Sequence, residues 1–307
     1  MIRSATKVTV DILDAATNLK VVGCAGIVVE YVDIAASTKR GVVVMHTPHG
    51  NTVTTAEHAI TLMLSLARQI SNANESTKAG KWKKSRCMGT EITSKTLGLI
   101  GSGNIGTIVA EQAQGLKMRV VGYDPYLSPE NATRLGIEKL GLDELLARAD
   151  FITLHTPLTD ATRNIISADA VNKTKKGLRI VNCARGGLVD EQAMMTALKS
   201  GHVAGAAFDV FEVEPATNNV LFGFDNAIAT PHLGVSTTEV QEKVALQVAE
   251  QMADYLMKGA VTNALNMASV SAEEALILKP YMALGGLLGS FLVQVRSRWH
   301  HRGGDRI

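Results

Sequence analysis

The chain has 307 residues, 46% hydrophobic and 20% charged, enough to build two domains with cores of their own. Lys and Arg number 31 against 29 Asp and Glu, a net charge of +2, which leaves no electrostatic footprint for nucleic acid. Cys24, Cys87 and Cys183 lie far apart and form neither a CxxC nor a zinc set, so no metal site is expected and a reducing compartment is favoured.

The first residues carry Arg3, Lys7, Asp11 and Asp14 and no long apolar core, so they do not have the form of a secretory signal. Residues 8–17 are helix-like, 20–22 and 41–45 are short apolar strands, and 46–51 (HTPHGN) form a turn-rich hinge. Thr54 and Glu57 have the spacing of a capping box for a helix reaching about Ile70. A strand is predicted over 97–100, running into Gly101, Gly103 and Gly106 of GSGNIG. A helix over 105–117 follows.

Those glycines suit a tight turn, close backbone approach to a pyrophosphate and close packing of helix on strand, with Asn104 and Ile105 at the helix N-terminus facing the phosphates. A second strand over 118–123 ends in Asp124, close to the ~20-residue spacing at which an acid meets the ribose hydroxyls and repels a 2′-phosphate. The pattern favours NAD over NADP. Further strands are predicted at 151–154, 178–182, 204–208 and 227–230, with helices at 142–149 and at 190–200, the latter closed by Gly201. Ser236 and Glu239 are expected to cap a last long helix reaching about Lys258. The alternation predicts an α/β fold with a doubly wound, Rossmann-like parallel sheet. The apolar run at 280–295 is interrupted by glycines and shorter than the ~20 residues a membrane helix needs, so it is expected to be a helix seeking a partner surface.

Arg185, Glu214 and His232 each follow one of these apolar segments, so all three are expected at the same rim of the sheet, where open α/β sheets do chemistry. An arginine forks a carboxylate, and a histidine backed by a carboxylate accepts or returns a hydroxyl proton near neutral pH. The set fits acid/base work on a small 2-hydroxy or 2-keto acid.

RSATKV at the start, GSGNIG, GYDP at 122–125, HTPL at 155–158, NCARGGLVDE, DVFEVEP and PHLGVST together resemble the D-isomer-specific 2-hydroxyacid dehydrogenases, and within them the branch acting on 3-phosphoglycerate. The resemblance covers nearly the whole chain to about Asn266. It implies oxidation of 3-phosphoglycerate by NAD to 3-phosphohydroxypyruvate, the first step of serine synthesis, in a cytoplasmic enzyme that pairs through its nucleotide domain. It also implies an NAD-binding domain over 48–233 and a flavodoxin-like substrate domain over 1–47 plus 234–266. By the same resemblance His232 is the proton acceptor, Glu214 its orienting partner, and Arg185 the group holding the carboxylate. Thr156, the backbone of Cys183, Ala184 and Arg185, Asp209, and Leu233, Gly234 and Val235 line the cofactor; Arg3 and Ser4 reach the substrate.

The sequence departs from this pattern in the loop GCAGIVVEYVD. Cys24 stands where the family has an arginine expected to attract the substrate phosphate, and Val28 where it has a glycine expected to approach the substrate carboxylate. Glu30 and Tyr31 are further changes. Relative to the family, the first domain is also expected to lack about two βα units, roughly fifty residues. Residues 267–307 resemble the start of a further domain, ending in a polar, basic tail, RSRWHHRGGDRI, for which disorder is expected. His300 and His301 have no further ligands nearby in sequence for a metal. These departures leave two other readings open: a hydroxypyruvate or glyoxylate reductase, and a catalytically weak NAD-binding isoform acting through an oligomeric partner.

Overall fold

The computed structural model describes residues 1–3, 6–26, 31–48, 50 and 52–302, and Ser4, Val28 and Glu30 lie outside them. The chain resolves into two units, Met1–Gly50 with Thr238–Ile307, and Asn51–Thr237. The first division falls inside the 46–51 hinge and the second shortly after the PHLG motif, each a few residues beyond the expected bounds of 47 and 233, and residues after 266 group with the first unit.

In the first unit, α1 (Val10–Ala15) precedes β1 (Val21–Cys24), and α2 (Ile34–Lys39) precedes β2 (Val43–His46). The two strands pair in parallel, Val21 opposite Val43. Their side chains alternate between two apolar clusters, Val22, Cys24 and Val44 with Val8, Leu13 and Val32 on one face, Val21, Val43 and Met45 with Val261 on the other. Asp33 caps α2 through the Ala36 N–H at 2.8 Å.

The second unit holds the larger sheet. α3 (Thr52–Arg68) and α4 (Ile70–Lys78) lead to β3 (Thr96–Ile100), α5 (Asn104–Gly115), β4 (Arg119–Tyr123), α6 (Pro129–Arg134), β5 (Glu138–Lys139), α7 (Leu142–Arg148) and β6 (Phe151–Leu154). Then come α8 (Ala168–Asn172), β7 (Leu178–Asn182), α9 (Glu191–Ser200), β8 (Val203–Phe208) and β9 (Ala227–Ala229). The seven strands stand in the order β5-β4-β3-β6-β7-β8-β9, and every adjacent pair is parallel. The order reverses direction between β3 and β6, the switch point at which such sheets bind ligands. One large apolar cluster packs around Leu145, Leu154, Ile180 and Phe208, and a second around Leu62, Leu97, Val109 and Val181.

The remaining helices belong to the first unit: α10 (Thr238–Lys258) and α11 (Ala272–Arg302). Ser236 lies two residues ahead of α10, so the helix begins later than its S-x-x-E pattern predicts. Thr54 likewise sits inside α3 rather than capping it. A capping box does start α11, where Ser271 Oγ accepts from the Glu274 N–H at 3.2 Å and Glu274 Oε2 accepts from the Ser271 N–H at 2.9 Å. Once nucleated, a helix gains a bond for each residue added, and α11 runs to Arg302, into the tail expected to be disordered. Residues 303–307 lie outside the described ones. Ile277, Tyr281, Leu284, Leu287 and Phe291 of α11 are exposed, in keeping with a helix whose apolar surface seeks a partner. Among the described residues no helix is long and apolar enough to cross a membrane.

Candidate active site

The glycine loop leaves β3 at the switch point. Gly101 has φ +94°, and a side chain there would place Cβ 2.5 Å from the His155 carbonyl oxygen at the end of β6. A Cβ on Gly106 would lie 2.1 Å from the Gly101 oxygen, a backbone atom with nowhere to go, whereas a Cβ on Gly103 would meet nothing within 4 Å. Loop and helix are thus locked together while Gly103, the N-cap of α5, is bare towards solvent. The first-turn amides of α5, those of Asn104, Ile105 and Gly106, lie beyond the reach of the i−4 ladder. The described loop therefore fits a dinucleotide pyrophosphate, in geometry as well as residue type.

Asp124 leaves the end of the neighbouring strand β4. Its Oδ2 accepts from the Ser102 N–H at 2.7 Å and its Oδ1 from the Tyr126 N–H at 2.8 Å. An ionised carboxylate has about four acceptor positions, so two remain for ribose hydroxyls. The same residue thus fixes the glycine loop, a role its spacing does not announce. Replacing Asp124 by serine is expected to narrow the preference for NAD over NADP by about tenfold, the worth of one charge-assisted bond together with relief of a like charge. Paired titrations check this through the ratio, which cancels any loosening of the loop common to both cofactors. An unchanged ratio would remove Asp124 from the role.

At the end of β6, His155 Nε2 lies 2.9 Å from Thr153 Oγ1, while its Nδ1 is buried without a protein partner. Thr156, half-buried, follows it. Burial pushes the His155 imidazole down to about 3, so the ring is neutral at pH 7. Between about 3 and about 6.5 the unfolded chain binds a proton that the folded one refuses, and stability therefore rises with pH through that window. Denaturant melts are expected to show roughly 1 kcal/mol lost per pH unit below about 6, slightly under the 1.4 of a wholly shielded site. His155→Gln should flatten that slope; an unaltered slope would mean that the ring is solvated.

Arg185, Glu214 and His232 follow β7, β8 and β9, three adjacent parallel strands, and emerge at one rim as expected. After β7, the buried Asn182 accepts from the Ala184 N–H at 3.1 Å and donates through Nδ2 to the Arg185 carbonyl at 2.9 Å, which folds Cys183, Ala184 and Arg185 into a turn. The Arg185 guanidinium donates to the Ala184 oxygen at 2.6 Å, and no carboxylate pairs with it among the described residues. Burial, followed by the charge of Asp209, pushes the Cys183 thiol up, so it is a packing group rather than a nucleophile. Gly186 packs the β7 turn against the β8 loop: a Cβ there would sit 1.9 Å from the Phe211 oxygen.

In the β8 loop, Glu214 Oε1 accepts from the Phe211 N–H at 3.0 Å, and Oε2 lies 2.8 Å from His232 Nδ1. One carboxylate oxygen is fixed by its own loop and the other orients the imidazole, leaving Nε2 as the free nitrogen. His232 itself has φ +56°, a left-handed conformation that a non-glycine residue adopts at a cost. Its N–H donates to the Asp209 carbonyl at 2.9 Å. The Asp209 carboxylate accepts from the Thr230 hydroxyl at 2.6 Å, the Leu233 N–H at 2.7 Å and the Gly234 N–H at 2.8 Å.

Asp209 was expected to line the cofactor, but its side chain is 1% exposed and committed to the turn that carries His232, Leu233, Gly234 and Val235. It acts through that turn. Asn182, His58 and His155 were not singled out by sequence reasoning. Asn182 and His155 are the first residues of motifs that were, NCARGGLVDE and HTPL, whereas nothing local marks His58. Arg3 is exposed in the first unit, and Ser4 lies outside the described residues. Cys24 is buried among Val8, Leu13 and Val22, which pushes its thiol up. No group of three or more His, Cys, Asp or Glu suited to a metal ion occurs among the described residues.

Residues 60–234 match the family described as D-isomer specific 2-hydroxyacid dehydrogenase, NAD binding domain. The D-3-phosphoglycerate dehydrogenase of Bacillus subtilis (strain 168) is 45% identical over 294 residues, 96% of this chain and 56% of that protein. Among solved structures, a glyoxylate reductase from Paecilomyes thermophila superposes with a TM-score of 0.73 at 34% identity, covering 81% of this chain and 76% of that one. A D-lactate dehydrogenase from Aquifex aeolicus complexed with NAD and lactic acid gives 0.73 at 27%, covering 85% and 83%. The chain spans about half the length of the curated relatives it matches.

Proposed function

The chain belongs to the D-isomer-specific 2-hydroxyacid dehydrogenase family, and on that premise we propose that it oxidises 3-phosphoglycerate to 3-phosphohydroxypyruvate with NAD. The observation that carries the chemistry is the His232–Glu214 contact of 2.8 Å, set beside an Arg185 that lacks a counter-ion of its own. NAD, when bound, supplies the acceptor for the hydride leaving C2. His232 Nε2 takes the C2 hydroxyl proton while Glu214 steadies the imidazolium from Nδ1. Arg185 holds the substrate carboxylate and draws on the C2 oxygen as the carbonyl forms. The bare Gly103 and the α5 N-terminus take the pyrophosphate, and Asp124 the ribose. The turns at 183–185 and 232–235, with Thr156, would line the nicotinamide end. By the family likeness, Arg3 and Ser4 are assigned to the substrate.

The identity to D-3-phosphoglycerate dehydrogenases supports a place at the head of serine biosynthesis. The unpaired cysteines among the described residues support a cytoplasmic setting. Exposed Trp82, Met88 and Ile70 on the nucleotide unit support pairing of two copies through it.

A second reading rests on Cys24. Its thiol sits in an apolar cluster and supplies no positive charge of its own to draw a phosphate, which favours an unphosphorylated substrate, as in hydroxypyruvate or glyoxylate reduction, or weak turnover in a chain that acts through an oligomeric partner. Purified protein titrated with NAD and then assayed on 3-phosphoglycerate, glycerate, glycolate and D-lactate separates these readings. The main proposal expects 3-phosphoglycerate to give the highest kcat/KM. Preference for an unphosphorylated acid would overturn it in favour of the second reading, and NAD binding without turnover in favour of the weak isoform.

A further inference from the structure

We propose that His58, on α3, is a positioning residue for the reaction: it anchors, through Asp209, the turn that presents His232. The inference rests on the dehydrogenase reading above for its catalytic consequence, though not for its structural one. His58 Nε2 lies 3.2 Å from Asp209 Oδ1 and 3.4 Å from Thr230 Oγ1. Nε2 is hydrogen-bonded to Thr230 Oγ1 and also faces the Asp209 carboxylate, which only accepts, so Nε2 carries the hydrogen, towards both oxygens. Thr230 spends its own hydroxyl hydrogen on Asp209 Oδ1, at 2.6 Å.

Asp209 is the hub of the turn. Its carbonyl receives the His232 N–H, and its carboxylate receives the N–H groups of Leu233 and Gly234. Those bonds hold His232 at φ +56°, where a histidine does not rest unaided. Burial alone would raise the Asp209 carboxyl, but the bonds from His58, Thr230 and the Leu233 N–H reverse this and hold it below the usual carboxylate range. The hub therefore stays anionic in a buried place, accepting from Thr230, Leu233 and Gly234, and among the described residues His58 is the side chain outside the β8–β9 region that faces it.

Geometry also explains why the donor stands on α3. Thr55, Ala56, Ala59 and Leu62 of this helix are buried, and the helix packs on the same apolar cluster as Val181 and Ala207. A Cβ on Gly234 would sit 3.5 Å from Thr55 Cγ2, so helix and turn are already in contact and a donor one turn along reaches the carboxylate without bending either. Removing the donor leaves a buried anion short of a charge-assisted bond, and the weakest neighbour to yield is the strained turn.

The test uses the full chain, with His58→Ala and His58→Gln; the glutamine amide keeps a donor at similar reach. Amide exchange at Leu233 and Gly234, followed by NMR without any ligand, is expected to quicken by roughly ten- to a hundredfold in His58→Ala, the loss attached to one charge-assisted bond. In turnover assays kcat should fall over the same range, with KM for the hydroxy acid and NAD affinity changed less than about threefold, because the carboxylate grip and the pyrophosphate cradle are untouched. His58→Gln should recover exchange and kcat to within about threefold of wild type. Exchange at Leu233 and Gly234 indifferent to His58→Ala, or His58→Gln as impaired as alanine, would overturn the assignment. Should the alanine variant not fold, the glutamine variant decides by the same two readings. A wild-type chain inactive on every 2-hydroxy acid would refute the dehydrogenase reading alone, since the exchange measurement still reports on His58.

Discussion

Replacing His232 by alanine is expected to lower kcat by about 10²–10⁴-fold, the usual cost of removing a general base, while NAD affinity stays within a few-fold of wild type. The two halves of this expectation come from different parts of the nucleotide unit. On the proposed mechanism proton transfer depends on Nε2 of a ring whose Nδ1 lies 2.8 Å from Glu214 Oε2. Cofactor affinity is expected to depend mainly on the loop from Gly101 to Gly106, between β3 and α5, and on Asp124, just after β4. The backbone bonds of the turn survive the substitution, since Asp209 holds the N–H groups of residues 232–234 and not the imidazole. Alanine also relieves no clash, because His232 is exposed. Glu214→Gln should produce a smaller loss, since the amide still meets Nδ1 but without the charge that favours the imidazolium. Steady-state kinetics with parallel calorimetric titration of NAD checks both variants. A His232→Ala protein with wild-type kcat would show that another group takes the proton.

Much of this site is legible before any coordinates because it sits where buried strands end. Residues 151–154 and 178–182 match β6 and β7 residue for residue, since strands covered on both faces are mostly apolar, here interrupted by Thr153, Arg179 and Asn182, and have sharp ends. β9 is different. It lies at the edge of the sheet with Ala229 exposed, and is fixed by its parallel pairing with β8 and by Ala227 and Ile228 packing half-buried on the apolar clusters. Gly201 closes α9 as predicted, turning left-handed, while Asp190, read as the first residue of the helix, is its N-cap, with Oδ1 accepting from the Gln192 and Ala193 N–H groups; both signals are local. The capping boxes proposed at Thr54 and Ser236 fail for the complementary reason: the four-residue pattern recurs by chance, and packing of the whole amphipathic helix decides where the first turn lies. α2, with six residues, is too short to show a period at all. His58 stayed hidden because its meaning lies in Asp209 and Thr230, far along the chain, and a histidine beside buried positions of a helix carries no local mark. Asp209 was picked out by its motif, yet its carboxylate serves the turn, a distinction that only hydrogen-bond partners reveal.

Arg185→Lys is expected to reduce kcat/KM for the hydroxy acid by about 10²–10³-fold, although the charge is kept. A guanidinium presents two parallel N–H groups to a carboxylate in one plane, whereas an ammonium presents a point charge on a shorter, flexible stem. Each charge-assisted bond is worth about 1.5–3 kcal/mol, so losing one and misaligning the other spans that range. Folding should not confuse the result. The turn is held by Asn182 bonding the Ala184 N–H and the Arg185 carbonyl, and by the tight approach of Gly186 to Phe211, none of which uses the guanidinium. The one bond the side chain makes, to the Ala184 oxygen, is also within reach of an ammonium. If Arg185 also draws on the C2 oxygen in the transition state, kcat should fall as well as KM rise; a carboxylate grip alone predicts a change in KM with kcat nearly constant. Guanidinium ions added to Arg185→Ala provide the complementary readout, since they restore the fork without the tether. A lysine variant within threefold of wild type in kcat/KM would place the substrate carboxylate elsewhere, and the absence of a counter-ion beside Arg185 would then need another explanation.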